Sequence, residues 1–134
     1  MFIPAHYRNA DPAPACPWLA RYPFGTLITA GADGLPMVTS LPVFAETDDA
    51  GAIRIVSHLA RRNPHAIALR SGLPGLLVVN SPSAYISPAW YQSPMNVPTW
   101  DYVGLQMAGT LKVIDEREAL LDLMRRSIRV FESA

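Results

Sequence analysis

FGTLITAGADGLPMVTSLPVFAETDDAGAIRIVS, residues 24–57, is the stretch that decides the fold. Three runs rich in apolar and β-branched residues, Gly25–Ala30, Leu35–Phe44 and Ala52–Ser57, are separated by Ala32-Asp33-Gly34 and by Thr47-Asp48-Asp49-Ala50-Gly51. Asp-Gly between two such runs is a hairpin signal. It predicts a type I′ turn, in which both central residues take positive φ. Pro42 has no N–H for a ladder, so it predicts an edge or a bulge near the end of the second strand. Consecutive strands joined by tight turns read as an antiparallel meander.

The flanks add helices and more strands. Met1–Asp11 reads as an irregular lead-in, and Pro12, Pro14 and Pro17 leave room for a short helix around Trp18–Tyr22. Asn63-Pro64 is a helix start, because Asn caps and a proline at the first helical position loses no needed N–H. That helix is expected to reach Arg70 and to stop at Ser71-Gly72, where glycine suits a left-handed residue. Leu76–Asn80 reads as a short buried strand with Ala84–Ser87 as its continuation, and Val103–Ile114 as a long strand bent at Gly104 or Gly109. Asp115-x-x-Glu118 resembles a capping box. Leu120, Met124, Ile128 and Phe131 then share one helical face. The sum is a mainly β, α+β chain: one domain over residues 1–134, a small antiparallel barrel with helices packed outside. The last helix runs to the final residues with no later strand to cover a barrel edge. The expectation is therefore either a partner on that edge or a chain truncated at its C-terminus.

Between these elements lies Ser81–Tyr102, SPSAYISPAWYQSPMNVPTWDY, with five of the twelve aromatic residues and four of the 13 prolines. No helical or strand period persists through it. Long loops in compact domains are functional or disordered, and disordered segments are poor in aromatics. An ordered aromatic loop needs a surface to lie on: the chain's own barrel, or a partner, with room for a flat ligand.

Composition excludes several classes. Eleven basic and eleven acidic residues cancel, so no global field draws in nucleic acid, and no helix-turn-helix is recognisable. No apolar run is long enough to span a membrane, and no signal peptide opens the chain. Cys16 is the one cysteine. These features imply a cytoplasmic protein. Ser40, His58 and Asp101 supply the residue types of a hydrolase, but no G-x-S-x-G turn accompanies them. His6, His58 and His65 lack metal-ligand spacing. Arg125, Arg126 and Arg129 suit a solvated helix face.

The junction Ser57-His58-Leu59-Ala60-Arg61-Arg62-Asn63-Pro64 is more informative. A strand ends, two arginines follow, and a helix begins. Helix N-termini offer free N–H groups to phosphate, and arginine adds a two-pronged donor. The plainer reading of Arg61 and Arg62 is a solvated turn. Thr39 and Ser40 can offer donors to a ligand lying on the second strand, with strand alternation allowing one side chain at most to point at it.

These pieces in this order resemble the PaiB family, the FMN-binding negative transcriptional regulators. The matching stretches are Met1-Phe2-Ile3-Pro4, Phe24-Gly25-Thr26, Thr39-Ser40-Leu41-Pro42, His58-Leu59-Ala60-Arg61 with Asn63-Pro64, Ala84-Tyr85-Ile86-Ser87-Pro88-Ala89-Trp90-Tyr91, and Val97-Pro98-Thr99-Trp100-Asp101-Tyr102 with Gly109. The resemblance implies a split β-barrel like those of pyridoxine-phosphate oxidases and flavin reductases, a homodimer, and FMN at the subunit interface. Carried onto this chain, it implies that Ser57, His58, Arg61, Arg62 and Asn63 hold the phosphate. Thr39, Ser40 and Leu41 would line the ring, with Trp90, Tyr91 and Trp100 closing the site. Ser40, Asp101, Gln106 and Ser81 stand where the family usually has His, Asn, His and Gly. Two other functions stay open: a flavin-dependent NAD(P)H oxidoreductase, and a regulatory or interaction module without flavin.

Overall fold

A computed structural model describes residues 4–5, 14–93 and 95–133. The expected lead-in over Met1–Asp11 lies outside the described residues apart from Pro4 and Ala5. A helix α1 (Ala15–Arg21) precedes the meander β1 (Phe24–Ala30), β2 (Pro36–Thr47) and β3 (Ile53–Ser57). A short helix α2 (Pro64–Ala68) leads to β4 (Pro74–Asn80), then β5 (Ala84–Ile86), β6 (Thr99–Asp101), β7 (Gly104–Thr110) and the C-terminal helix α3 (Arg117–Glu132). The order β3-β2-β1-β4-β7 makes one curled, antiparallel five-stranded sheet, while β5 and β6 pair with each other. The fold is that of a split β-barrel with flanking helices.

The first hairpin turn differs from the expected type I′, and the second is built in the same way. No non-glycine residue has positive φ among the described residues, and Gly34 and Gly51 stand at +83° and +81°. The Gly31 N–H donates to the Leu35 carbonyl at 3.0 Å and the Asp33 carboxylate accepts from the Leu35 N–H. The Asp48 N–H likewise donates to the Ala52 carbonyl at 3.0 Å, and Asp48 Oδ1 accepts from the Ala50 and Ala52 N–H groups. These are three-residue loops closed by a left-handed glycine. Register explains the choice. Thr26 faces Ser40 and Leu27 faces Thr39. A two-residue loop would shift β2 by one position and turn Ser40 inward in place of Leu41 and Val43.

Pro42 marks a change of partner. Residues 36–42 of β2 pair with β1, and residues 43–47 pair with β3. The Val43 N–H donates towards the β1 side, to the Pro23 carbonyl at 2.9 Å. Alternation turns Pro42 towards the β3 side, where the ladder has not yet begun, so the missing N–H loses no bond. The Ser57 hydroxyl donates to the Pro42 carbonyl there at 2.6 Å.

The odd-numbered face of β2 is the core face. Leu41 and Val43 pack with Leu77, Val79 and the fully buried Leu19 of α1, flanked by Leu27, Ile55, Leu105 and Met107. Burying a leucine of this kind contributes roughly 1.5–3 kcal/mol. On the other face, α3 covers Phe44 and Val56 with Leu123, and Phe131 meets Phe44 edge-on at 6.1 Å.

Five other expectations shift. α2 ends at Ala68, and the left-handed Gly72 instead serves a turn closed by Leu73 N–H to the Arg70 carbonyl. β5 pairs with β6 and does not continue β4. β7 ends at Thr110, short of Ile114. The capping box does not form, because Glu116 takes the cap position with no side-chain bond. The buried face of α3 is rotated from the expected one: Leu123 and Ser127 are buried, while Met124 and Ile128 are 37% and 51% exposed. Leu123 and Phe131 pack on Phe44 and Val56 on that face, and Arg126 beside them is ion-paired to Glu46 of β2 and to Asp122 at 2.8 Å.

His65 is 2% exposed and lies between two hydroxyls, Thr29 Oγ1 at 2.9 Å from Nε2 and Thr39 Oγ1 at 2.8 Å from Nδ1. Burial lowers its pKa below the usual histidine value. The unfolded chain therefore takes up this proton more readily than the folded chain. This contribution is complete above about pH 6.5 and is lost as pH falls below it, towards the folded-state pKa. Urea titrations between pH 7.5 and 5 are expected to show stability falling by up to about 1.4 kcal/mol per pH unit from this group, and His65→Gln to flatten that part of the slope. Gly25 gives a second test. A Cβ there would meet Val79 Cγ2 at 2.7 Å, Leu77 Cδ1 at 3.0 Å and the Val78 carbonyl oxygen at 3.1 Å. Gly25→Ala is expected to lower the urea midpoint by an amount worth about 1–3 kcal/mol, at an unchanged slope.

Candidate functional site

The junction after β3 is built by short-range bonds. The Asn63 N–H closes a turn onto the Ala60 carbonyl at 2.8 Å, and Asn63 Oδ1 accepts from the His65 N–H at 2.9 Å. That bond matters for anion binding. α2 has only five residues, too few for much of a helix dipole, and one of its free N–H groups is already taken. Anion recognition here rests on side chains. Arg61 and Arg62 are both exposed, and neither has an ion-pair partner among the described residues. His58 adds a buried Nδ1 with no hydrogen-bond partner. Buried polar atoms are normally satisfied, and this one lies three and four positions before the two arginines in the chain.

Two other expected phosphate or ring residues are committed inside the protein. The Ser57 hydroxyl donates to Pro42, and the Thr39 hydroxyl is bonded to His65. Leu41, 3% exposed, is a core residue. Of Thr39-Ser40-Leu41, Ser40 alone turns its side chain to the uncovered face. There it shares a row with Thr26, Val78 and Gln106 across β2, β1, β4 and β7. At about 4.8 Å per strand, Ser40 and Gln106 stand ~14 Å apart. The neighbouring rows expose Phe24 (62%) and Val38 (57%).

Trp90, Tyr91 and Trp100 belong to the β5–β6 hairpin. Its root is clipped by Ser81, whose N–H donates to the Val103 carbonyl at 2.9 Å and whose Oγ accepts from the Val103 N–H at 3.0 Å. Ser87 Oγ accepts from the Ala89 N–H at the 3-10 turn Pro88–Trp90. Tyr85 and Trp100 meet edge-on at 5.7 Å across the two strands. The stretch keeps its short strand and loop, with the addition of a three-residue ladder between 84–86 and 99–101, and Trp90, Tyr91 and Trp100 remain exposed. A planar, apolar ring with polar edges is a chemically apt neighbour for such side chains.

His65 is the participant that sequence reasoning passed over, weighing it only as a scattered metal ligand. The signal was available: Thr29 and Thr39 share the odd, inward parity of adjacent strands, and a histidine follows the helix-starting proline directly. Among the described residues no three of His, Cys, Asp and Glu come together to hold a metal. No helix among them is long and apolar enough to cross a membrane.

Comparison with known proteins supports the cofactor assignment. A family model described as "Putative FMN-binding domain" matches residues 1–134. The chain is 30% identical to the uncharacterized protein YKL070W of Saccharomyces cerevisiae, over 92% of this chain and 86% of that protein. It is 32% identical to the protease synthase and sporulation protein PAI 2 of Bacillus subtilis, again over 92% of this chain. It spans 58% of the length of the Bacillus protein. Matched along its whole length, this chain belongs to the FMN-binding family of the PaiB type.

Proposed function

We propose that the chain is an FMN-binding module that acts as a homodimer, with flavin at the subunit interface, in negative regulation of transcription by an indirect route. The observation that carries the flavin site is the junction: Arg61 and Arg62, exposed and without ion-pair partners among the described residues, follow closely in the chain on His58, whose buried Nδ1 has no hydrogen-bond partner. Arg61 and Arg62 hold the phosphate, with His58 as a neutral partner. Ser40 reaches the ring edge from the uncovered face of β2, and Trp90, Tyr91 and Trp100 cover the ring. When bound, FMN supplies hydride or electron transfer. The protein's own part is to bind and orient it and to exclude water.

The dimer reading draws on the uncovered sheet face and the exposed aromatic hairpin. Exposed apolar patches of this kind mark interaction sites. An indirect regulatory route agrees with a net charge of zero. A module without flavin is favoured by one observation, the short neutral side chains Ser40 and Gln106 on the exposed row.

Purified protein incubated with FMN and then desalted is expected to keep flavin absorption bands; a folded, colourless protein would support the flavin-free module. Hydrogen bonds to charged groups contribute roughly 1.5–3 kcal/mol, so Arg61→Ala and Arg62→Ala are each expected to weaken FMN binding about 10- to 150-fold. Unchanged affinity in both and in the double variant would refute the phosphate assignment. Light scattering after gel filtration is expected to give twice the chain mass for the wild type and a monomer for Val38→Glu.

A further inference from the structure

His65 is the one buried residue of α2; Ile67, two positions on, is 63% exposed. The helix is too short to be held by propensity, so its attachment to the sheet depends on that imidazole. The ring spans a diagonal between adjacent strands. Leu27 faces Thr39 and Thr29 faces Met37, so Thr29 and Thr39 are diagonal neighbours on the inward face. Each nitrogen meets one hydroxyl, at 2.9 Å and 2.8 Å. A neutral imidazole has one N–H and one lone pair, and a threonine hydroxyl donates or accepts. Both tautomers are therefore fully satisfied.

Three chemically distinct parts meet through this ring. Its backbone N–H is capped by Asn63, which directly follows Arg61 and Arg62. Its Nδ1 bonds the residue preceding Ser40 in β2. Its Nε2 bonds the middle of the sheet. We propose that His65 is a positioning residue that fixes the Arg61–Arg62 junction relative to the Ser40 strand, and so sets the separation between the phosphate and ring ends of the flavin site. This rests on the flavin reading above. An apolar residue here would leave two buried hydroxyls unpaired and let the two guanidinium groups drift while the strand stays in place. Burial, which lowers the pKa of His65, keeps the ring neutral at neutral pH and so preserves this arrangement.

FMN and riboflavin differ only in the phosphate, so the ratio of their dissociation constants isolates the phosphate end from the ring end. The test measures that ratio at pH 7.5 for wild type, His65→Leu, His65→Gln and Thr29→Val, each checked for folding by circular dichroism. Wild type is expected to prefer FMN by about tenfold or more, as one charged contact implies. His65→Leu is expected to bring the ratio close to one with riboflavin affinity little changed, Thr29→Val to fall between, and His65→Gln, which still donates and accepts, to retain the preference. Folded His65→Leu and Thr29→Val proteins that keep the wild-type ratio would overturn the inference while leaving the flavin site intact. Should His65→Leu not fold, the Thr29→Val ratio decides by the same criterion. A wild type that binds both flavins equally would instead overturn the phosphate junction, and the role of His65 with it.

Discussion

Pro42 has no N–H to give, and it stands where β2 stops pairing with β1 and starts pairing with β3. One strand thereby serves two neighbours in sequence. The bend of the sheet follows from this change of partner, as does the division of coverage between helices. α1 fills the inward face along Leu41 and Val43, while α3 reaches the opposite face only past the switch, at Phe44 and Val56. The rest of that opposite face stays open along Phe24, Val38 and Ser40. The junction after β3 lies at the border between the covered and open regions, because β3 delivers its end, Ser57, directly onto the Pro42 carbonyl.

Much of this was legible in the sequence. The meander, the helix start at Asn63-Pro64 and the C-terminal helix all rest on local signals, such as period, caps and turn residues, that do not need a distant partner. The failures share a cause as well. The turn type at Asp33-Gly34 was decided by register, which depends on which side chains the far side of the core accepts. The face of α3 is set by packing on Phe44 and Val56, strand residues about 70 positions away in the chain. A period marks a helix as amphipathic; it does not say which part of a broad apolar arc a small sheet will have room to cover. β6 was hidden, and β5 was read as a continuation of β4, because three-residue strands carry too little pattern to show their partner.

For the proposed site, sequence singled out the junction but not how its side chains are bonded. Ser57, Thr39, Arg61 and Arg62 are all polar and close in the chain or in adjacent strands. Only the hydrogen-bond partners separate the two whose hydroxyls are bonded within the protein from the two whose charges are unpaired. A helix of five residues also changes the physics of the proposed anion site, from an array of aligned amides to two exposed cations. Such a site trades rigidity for reach, which makes whatever holds the junction to the sheet more important than it would be at the end of a long helix.

The alternation along β2 has a consequence for how such a domain can diversify. Its odd positions, Thr39, Leu41 and Val43, answer to the interior, and the even positions Val38 and Ser40 answer to whatever lies outside. The two sets are interleaved yet mechanically independent. In the proposed site, Ser40 and its row-mates Thr26 and Gln106 sit on the face opposite the packed core residues of the same strands. The same interleaving forbids insertions: one added residue between Pro36 and Pro42 would exchange the two sets, so evolution on this strand proceeds by replacement and not by change of length.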